Sequence, residues 1–191
     1  MISIQEAIDF KSKHKDYHQY KQYVYDIGVL MQAKNIVELG VRSGESTRTL
    51  VAIAHQTNGH VWAFDPHKMS HPFEDERLTF IQKKGEECLS NMPVEIDLLH
   101  IDTDPHTYGQ TIMWLKLLAR KIRKGGVILL HDTVAVSMHT RLREAILYWL
   151  KLNANAIEGY DRASYREYMP LNEVFKYNVG GMGIIVRWRI E

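Results

Sequence analysis

The chain has 191 residues, enough for one domain with a substantial hydrophobic core. Apolar residues make up 45% of the sequence and charged residues 25%, which is the ordinary balance of a globular domain. Because the formal net charge is only +1, the composition gives no reason to expect a nucleic acid or a membrane surface as a partner.

The number of cysteines and the hydropathy of the chain indicate the cellular compartment of the protein. Cys88 is the only cysteine, so no internal disulfide can form and a reducing compartment is expected. The first residues lack the basic segment and apolar stretch of a signal peptide, and no apolar run is long enough to cross a membrane. The sequence therefore predicts a cytoplasmic protein.

Residues 1–33 are predicted to form a helical cover ahead of the main fold. Apolar and aromatic side chains recur there three and four positions apart, which is typical of a helix with one buried stripe. The stripe consists of Tyr17, Tyr20, Val24, Ile27 and Met31. We expect it to pack on the elements that follow, and a lid or a contact in a homodimer is the alternative role.

From residue 35 onward, predicted strands and helices alternate. Near-continuous apolar strands such as Val127–Leu130 are typical of a parallel sheet that is covered on both faces. The predicted strands are 35–40, 60–65, 78–82, 96–102 and 126–130, and the predicted helices are 44–57, 107–124 and 137–150.

The end of the chain has a different pattern. The polar, tyrosine-rich stretch 153–170 is predicted to be a long loop that binds substrate or contacts a second subunit. Two strands are then predicted to flank Gly180-Gly181, a hairpin turn signal. The predicted fold class is α/β: a Rossmann-like, doubly wound, mainly parallel seven-stranded sheet with a C-terminal antiparallel β-hairpin, in a single domain over 1–191.

The most informative motif runs from Ile36 to Thr47. An apolar run that contains Glu38 passes through Gly40 and Gly44 into a predicted helix. Such a turn gives a ligand backbone N–H groups and a surface free of side chains. Asp65 ends the next apolar run 21 residues beyond Gly44, near the spacing at which a βαβ unit offers a carboxylate to a ribose. The sequence therefore predicts a cofactor that contains a nucleoside.

Together with later motifs, this segment resembles the class I S-adenosylmethionine-dependent methyltransferases. The narrower resemblance is to the small-molecule O-methyltransferase and cephalosporin hydroxylase-like branch. The motifs that carry it are Glu38-x-Gly40-x-x-x-Gly44, Asp65, Ile101-Asp102 with His106-x-Tyr108, Lys124–Thr133 and Gly180–Ile184.

The resemblance implies an enzyme that transfers a methyl group from S-adenosylmethionine to a hydroxyl of a small molecule. It assigns cofactor binding to Glu38, Gly40, Ser43, Gly44, Asp65, His67, Gly85 and Glu86.

The resemblance also implies a divalent metal, Mg²⁺ or another hard cation, that lowers the pKa of the acceptor hydroxyl. Its ligands would be Asp102 and Asp132, with Asp104 as a third candidate. Catechol-type relatives carry a catalytic lysine where this chain has Pro105. The predicted catalytic residues are therefore Asp102, His106 as the base, and His131 as a base, a ligand or a hydrogen-bonded wall residue.

Two other classes of protein are alternatives. An NAD-dependent oxidoreductase also uses a strand, a glycine turn and a following acid, although the spacing here departs from G-x-G-x-x-G. A non-catalytic, cofactor-binding partner with the same fold would also account for the missing lysine. Cys88 lies beside two acids and is expected to be a structural, partly buried thiol.

Overall fold

The computed structural model describes residues 2–12, 17–105, 107–133, 142–153, 163–168 and 182–187. The chain divides into two compact units, Met1–His100 and Ile101–Glu191. The prediction of a single domain over the whole chain stays a prediction. Within the described ranges, no helix has the length and the apolar character needed to cross a bilayer.

The first unit is an α/β structure. Its elements are α1 (Ile4–Asp9), α2 (Lys21–Leu30), β1 (Asn35–Leu39), α3 (Glu45–Thr57), β2 (His60–Phe64), β3 (Leu78–Ile81) and β4 (Ile96–Ile101, whose last residue begins the second unit). The strands follow the order β3-β2-β1-β4. Strand β1 pairs in parallel with β2, and β2 pairs in parallel with β3, as the sequence predicts. Short 3-10 turns span His18–Tyr20 and Gly85–Cys88.

The N-terminal helices form because local signals and burial agree. Ser3 and Glu6 make a reciprocal capping box at the start of α1, which supplies acceptors to two N–H groups that a helix start leaves without partners. In the predicted stripe, Tyr17, Tyr20 and Val24 are buried. Gly28 lets α2 approach α3 closely, since a Cβ there would lie 2.5 Å from the Cδ1 atom of Ile53.

The core of the first unit lies around β1 and β4. Every residue of β4 is buried, and so are the last four residues of β1. Strands that are apolar on both faces need cover on both sides, which explains why their sequences do not alternate.

The second unit combines two helices with a different strand arrangement. Its elements are α4 (Tyr108–Leu118), a 3-10 turn (Ala119–Lys121), β5 (Ile122–His131), α5 (Leu142–Asn153), β6 (Ala163–Tyr168) and β7 (Met182–Arg187). Strand β5 pairs antiparallel with β7, and β7 pairs antiparallel with β6. Thr107 caps α4 by accepting a hydrogen bond from the Gln110 N–H group at 3.2 Å.

The predicted boundary between α4 and β5 is wrong. The helix ends at Leu118 rather than near Lys124, and the strand begins at Ile122 rather than at Gly126. Ile122 is buried in the strand at 1% exposure. Because an apolar residue at 122 also continues the helical stripe, the sequence pattern fits both assignments at this point.

The tyrosine-rich stretch 153–170 is not a loop throughout, which corrects the prediction. Ala163–Tyr168 forms β6, with Tyr165 opposite Ile185 of β7. A polar strand has no hydrophobic run to mark it, and its pairing partner lies about twenty positions later in the chain. The predicted turn at Gly180-Gly181 and the strand before it lie outside the described residues, as do residues 137–141 of the predicted helix 137–150.

Candidate functional site

The glycine turn, residues 40–44, connects β1 to α3. Gly40, Arg42 and Gly44 all adopt positive φ angles, of 87°, 47° and 74°. The Gly40 N–H group donates to the Phe64 carbonyl at 2.9 Å, and the Gly44 N–H group donates to the Val41 carbonyl at 2.8 Å. Because a left-handed conformation costs a non-glycine residue about 1–2 kcal/mol, the structure must hold Arg42 in place.

Asp65 holds the turn with its carboxylate. Its Oδ2 atom accepts hydrogen bonds from the N–H groups of Val41 at 2.8 Å and Arg42 at 3.0 Å. Its Oδ1 atom accepts from the His67 N–H group at 2.8 Å. Successive N–H groups that converge in this way form an anion-binding concavity, and here the protein's own carboxylate fills it. Asp65, the residue predicted to bind a ribose, therefore already accepts three hydrogen bonds from the backbone. Its carboxylate keeps about one free lone-pair site.

Glu38 is fully buried at the end of β1. Its Oε1 atom accepts from the Ser46 hydroxyl at 2.5 Å, and its Oε2 atom accepts from the Thr47 hydroxyl at 2.7 Å. The Nδ1 atom of His100 lies 3.8 Å from the same carboxylate. The negative charge therefore lies beside the first turn of α3, where the helix dipole favours it.

Gly44 has a packing role that the sequence does not reveal. A Cβ atom there would lie 2.7 Å from the Sδ atom of Met69 and 2.9 Å from the Nη1 atom of Arg48. Ser43, the residue before it, is buried at 4% exposure. The absence of a side chain at position 44 thus allows the segment after β2 to pack directly over the turn.

Arg48 joins the start of α3 to two other segments of the first unit. Its guanidinium group lies 3.8 Å from the ring centroid of Phe10 and 4.2 Å from that of Phe73. Its Nη2 atom donates to the His71 carbonyl at 3.0 Å. Burial lowers the pKa of this guanidinium, although not enough to discharge it. Sequence reasoning missed Arg48 because nothing in its local sequence marks these distant partners.

The other predicted cofactor residues of the first unit lie in less enclosed positions. The His67 side chain is 88% exposed, and its Nδ1 atom lies 3.5 Å from the Oδ1 atom of Asp65. Gly85 and Glu86 begin the 3-10 turn after β3. In that turn Cys88 is buried, and burial raises the pKa of its thiol, as a structural cysteine requires.

In the second unit, Asp102, His131 and Asp132 lie together. One ligand atom of each residue lies within 4.8 Å of the others. The Nδ1 atom of His131 is 3.5 Å from the Oδ1 atom of Asp102 and 3.3 Å from that of Asp132. Two carboxylates and an imidazole are a donor set that divalent cations accept, so the residues fit the predicted metal.

His131 is almost fully buried, at 1% side-chain exposure. Burial alone would lower the pKa of its imidazole, but the charges of Asp102 and Asp132 and their hydrogen bonds outweigh burial and raise this pKa well above the usual value. The two carboxylates thus stabilise the charged form of this imidazole. The Nδ1 atom of His131 faces both carboxylates, so this side of the ring is directed at the two acids.

The third predicted ligand, Asp104, is exposed and does not belong to the group formed by Asp102, His131 and Asp132. The predicted base, His106, lies outside the described residues. The structure thus brings Asp102 and Asp132 together as the sequence predicts, with His131 as the third member.

Comparisons with known proteins identify the family of the chain. A family model described as "Methyltransferase domain" matches residues 37–133, just over half of the chain. No curated protein matches the sequence of this chain.

Solved structures with the same fold include three proteins of different origin. An O-methyltransferase from Bacillus cereus in complex with SAH has a TM-score of 0.63 at 15% identity, covering 96% of this chain and 90% of its own. Cofactor-bound Rv0187 from MTB has a TM-score of 0.64 at 16% identity, and the match covers 96% of this chain and 85% of that protein. An rRNA methylase from Streptococcus thermophilus has a TM-score of 0.62 at 14% identity, and the match covers 93% of this chain and 99% of that protein.

Identities this low establish the fold alone, which is the α/β Rossmann-like methyltransferase fold with a parallel sheet. The predicted resemblance to methyltransferases is confirmed by the family match. This chain belongs to the family of methyltransferase domains.

Proposed function

We propose that this protein transfers a methyl group from S-adenosylmethionine to a hydroxyl of a small molecule. The observation that carries the proposal is the glycine turn, whose converging N–H groups already hold the carboxylate of Asp65. The family match supports methyl transfer, and the turn supports the choice of donor.

The filled turn disfavours the dinucleotide alternative. In a dinucleotide site, the N–H groups of the glycine turn and the start of the helix face a pyrophosphate. Here the N–H groups of Val41 and Arg42 donate to Asp65, so a pyrophosphate would find two donors engaged and a fixed negative charge beside them. A sulfonium donor carries a positive charge and meets no such repulsion.

S-adenosylmethionine supplies a methyl group bonded to a positively charged sulfur. The transfer is a displacement in line with the sulfur–carbon bond, so the protein contributes mainly by aligning the reactants and accepting a proton. We assign donor binding to the residues that the resemblance indicates, which are Glu38, Gly40, Ser43, Gly44, Asp65, His67, Gly85 and Glu86.

We assign the acceptor and a divalent cation to the group of Asp102, His131 and Asp132. A bound cation would act as a Lewis acid and lower the pKa of the acceptor hydroxyl. Because imidazole suits the later transition metals and carboxylates suit Mg²⁺ and Mn²⁺, this mixed set favours Mn²⁺ or Zn²⁺ over Mg²⁺. His106 remains the proposed base, because the Nδ1 atom of His131 already faces the carboxylates of Asp102 and Asp132.

The finer structural and cellular assignments remain part of this proposal. They are a seven-stranded sheet with a C-terminal hairpin, a cytoplasmic location, a small-molecule acceptor and a homodimer as the alternative role of the N-terminal cover. Among the structural neighbours are an rRNA methylase and a putative rRNA methylase. The net charge of +1 gives no general attraction for RNA, so a small acceptor is the better proposal.

Calorimetry with S-adenosylhomocysteine and with NAD tests the choice of cofactor. We expect the first to bind and the second not to bind, and the reverse result would replace the methyltransferase proposal with the oxidoreductase. Transfer of labelled methyl groups to a panel of hydroxyl compounds and to rRNA then tests the acceptor class. Tight cofactor binding without turnover on any acceptor would favour the non-catalytic partner.

A double substitution separates the two binding functions. In D102A/D132A the residues of the first unit are unchanged, so binding of S-adenosylhomocysteine should persist while methylation of the acceptor is lost. Methylation at the wild-type rate in this variant would remove the acceptor and metal assignment.

A further inference from the structure

A cleft lies in the first unit at the edge of the sheet where β1, β2 and β3 begin. It has a volume of about 460 Å³ and is lined by residues 34–35, 58–60 and 76–77, and we call it the basal cleft. Because the three strands are parallel, the glycine turn that follows β1 lies at the opposite edge of the sheet. Small-molecule sites have volumes of about 300–1,000 Å³, so the basal cleft can hold a small organic ligand away from the glycine turn.

The basal cleft carries more positive than negative charge. Lys34 and Arg77 are its two cationic residues, and Glu76 is its one acid. The Glu76 side chain is 75% exposed, and its Oε1 atom lies 3.8 Å from the Nε atom of Arg77, which is beyond hydrogen-bond distance. An exposed pair of this kind contributes little, so the two cations dominate the interaction with an anion.

The Arg77 guanidinium group is held in place on one side. Its Nη1 atom donates to the Gly59 carbonyl at 3.2 Å. Its Nε atom is buried and has no hydrogen-bond acceptor among the described residues. A guanidinium carries five N–H donors in a planar fork that matches the oxygens of a phosphate. In the described part of the chain, the protein supplies one acceptor for this fork, and an oxyanion would supply the others.

Two buried acids beside the basal cleft act on its backbone. Asp75 accepts a hydrogen bond from the Arg77 N–H group at 2.9 Å, and its two oxygens lie 2.8 and 2.9 Å from the Nε2 atom of His55. Asp97 accepts from the N–H groups of residues 34–35 at 2.8 and 2.7 Å. These carboxylates therefore fix the segments that carry the two cations.

His60 is a fixed part of the wall that senses the charge of Arg77. Its Nε2 atom lies 2.8 Å from the Thr79 hydroxyl, and its ring centroid lies 4.7 Å from that of Trp62. Burial lowers the pKa of this imidazole, and the positive charge of Arg77 lowers it further. An anion bound to Arg77 would offset this charge and raise the pKa of His60.

We propose that the basal cleft is a second ligand site, which binds a phosphate monoester of a small organic molecule through Lys34 and Arg77. Two cations match the charge of a phosphate monoester, which is about −1.5 to −2 at pH 7, whereas a carboxylate would neutralise only one of them. The site goes beyond the proposed methyl transfer, which is assigned to other residues.

Titration with ribose 5-phosphate, followed by NMR of the amides and of the His60 imidazole, tests the site. We expect shifts at residues 34–35, 58–60 and 76–77 and a higher pKa of His60. Ribose should cause neither change. Inorganic phosphate should bind more weakly, because it does not fill the cleft. No response to ribose 5-phosphate, an equal response to ribose, or equal affinity for inorganic phosphate would overturn the assignment of a phosphate monoester.

Three substitutions test which side chains hold the phosphate. K34M and R77M should each weaken binding of ribose 5-phosphate by at least about tenfold, since each removes a hydrogen bond to a charged group. The matched control is K83M, which removes the same charge from an exposed lysine that follows β3. Arg77 also bonds to Gly59, so K34M is the variant that separates binding from folding. Unchanged binding in K34M, or an equal loss in K83M, would overturn the proposal.

Competition with S-adenosylhomocysteine separates this site from the proposed donor site. Protein saturated with S-adenosylhomocysteine should bind ribose 5-phosphate with the affinity of the free protein. Displacement of one ligand by the other would place the probe at the donor site and would overturn the proposal. If the protein does not bind S-adenosylhomocysteine, the proposed function fails, and the titrations with ribose 5-phosphate still decide the role of the basal cleft.

Discussion

The ammonium group of Lys21 lies 2.9 Å from a carboxylate oxygen of Glu45, and the two side chains are 0% and 5% exposed. Lys21 also donates to the carbonyl groups of Ala7 and Phe10, and Glu45 accepts from the Ser12 hydroxyl. Since Glu45 directly follows the glycine turn, this buried pair links the N-terminal segment, residues 2–12, to the start of α3.

Removing one member of this pair should be strongly destabilising. K21M leaves the Glu45 carboxylate buried without its cation, so the free energy of unfolding should fall by about 3–5 kcal/mol, measured by urea denaturation. K34M changes an exposed lysine and should stay within about 0.5 kcal/mol of the wild type. The double variant K21M/E45Q should lose less than the sum of the single variants, and an additive result would argue against a coupled pair.

Two glycines should respond in opposite directions to the same substitution. At Gly44 the φ angle is 74° and a Cβ would lie 2.7 Å from the Sδ atom of Met69, so G44A should destabilise the protein by about 2 kcal/mol or more. At Gly109, in α4, a Cβ would meet nothing within 4 Å. G109A should therefore stabilise the protein by about 0.5–1 kcal/mol through helix propensity, and thermal unfolding of both variants checks the contrast. Equal effects of the two substitutions would contradict it.

The buried pair of His55 and Asp75 should make stability depend on pH. The Nε2 atom of His55 lies 2.8 and 2.9 Å from the two carboxylate oxygens, and the Arg77 N–H group donates to Oδ1 at 2.9 Å. Burial acts to raise the pKa of Asp75, but the hydrogen bonds from His55 and Arg77 and the charge of His55 outweigh it, so this pKa is lowered.

A carboxyl with a lowered pKa in the folded state stabilises the protein fully above the ordinary Asp pKa, and this contribution is lost as the pH falls through the folded-state value. D75N should therefore lose about 2 kcal/mol at pH 7, and its difference from the wild type should shrink below about pH 4. Urea denaturation across this pH range measures it. E74Q, at the exposed neighbouring position, is the control, and a difference that is constant with pH would refute the assignment.

Metal binding should depend on which acid of the 102–104 segment is removed. Because Asp102 contributes to the group with His131 and Asp132, D102N should weaken Mn²⁺ binding in calorimetry by at least about tenfold. D104N removes an exposed acid only two positions away and should bind Mn²⁺ like the wild type. Loss of binding in D104N with retention in D102N would restore Asp104 as the ligand in place of the observed group.

The parallel part of the fold could be predicted because its signals are local. Apolar runs mark β1, β2 and β4, and glycines with positive φ angles mark the turn between β1 and α3. The end of α4 could not be predicted, since Ile122 suits both a helical stripe and a strand. Strand β6 could not be predicted either, because its structure depends on pairing with the distant β7.

The sequence by itself determined several candidate site residues, since an acid or a glycine after an apolar run is a local pattern that marks Glu38, Gly40, Asp65 and Asp102. Only the tertiary structure decided what these side chains contact. In the structure, the carboxylate of Asp65 accepts hydrogen bonds from the N–H groups of the glycine turn. The residue that lies beside Asp102 and Asp132 is His131 rather than Asp104. The physical reason is that the direction of a side chain and the partners within its reach are set by segments far away in the sequence, which no local pattern encodes.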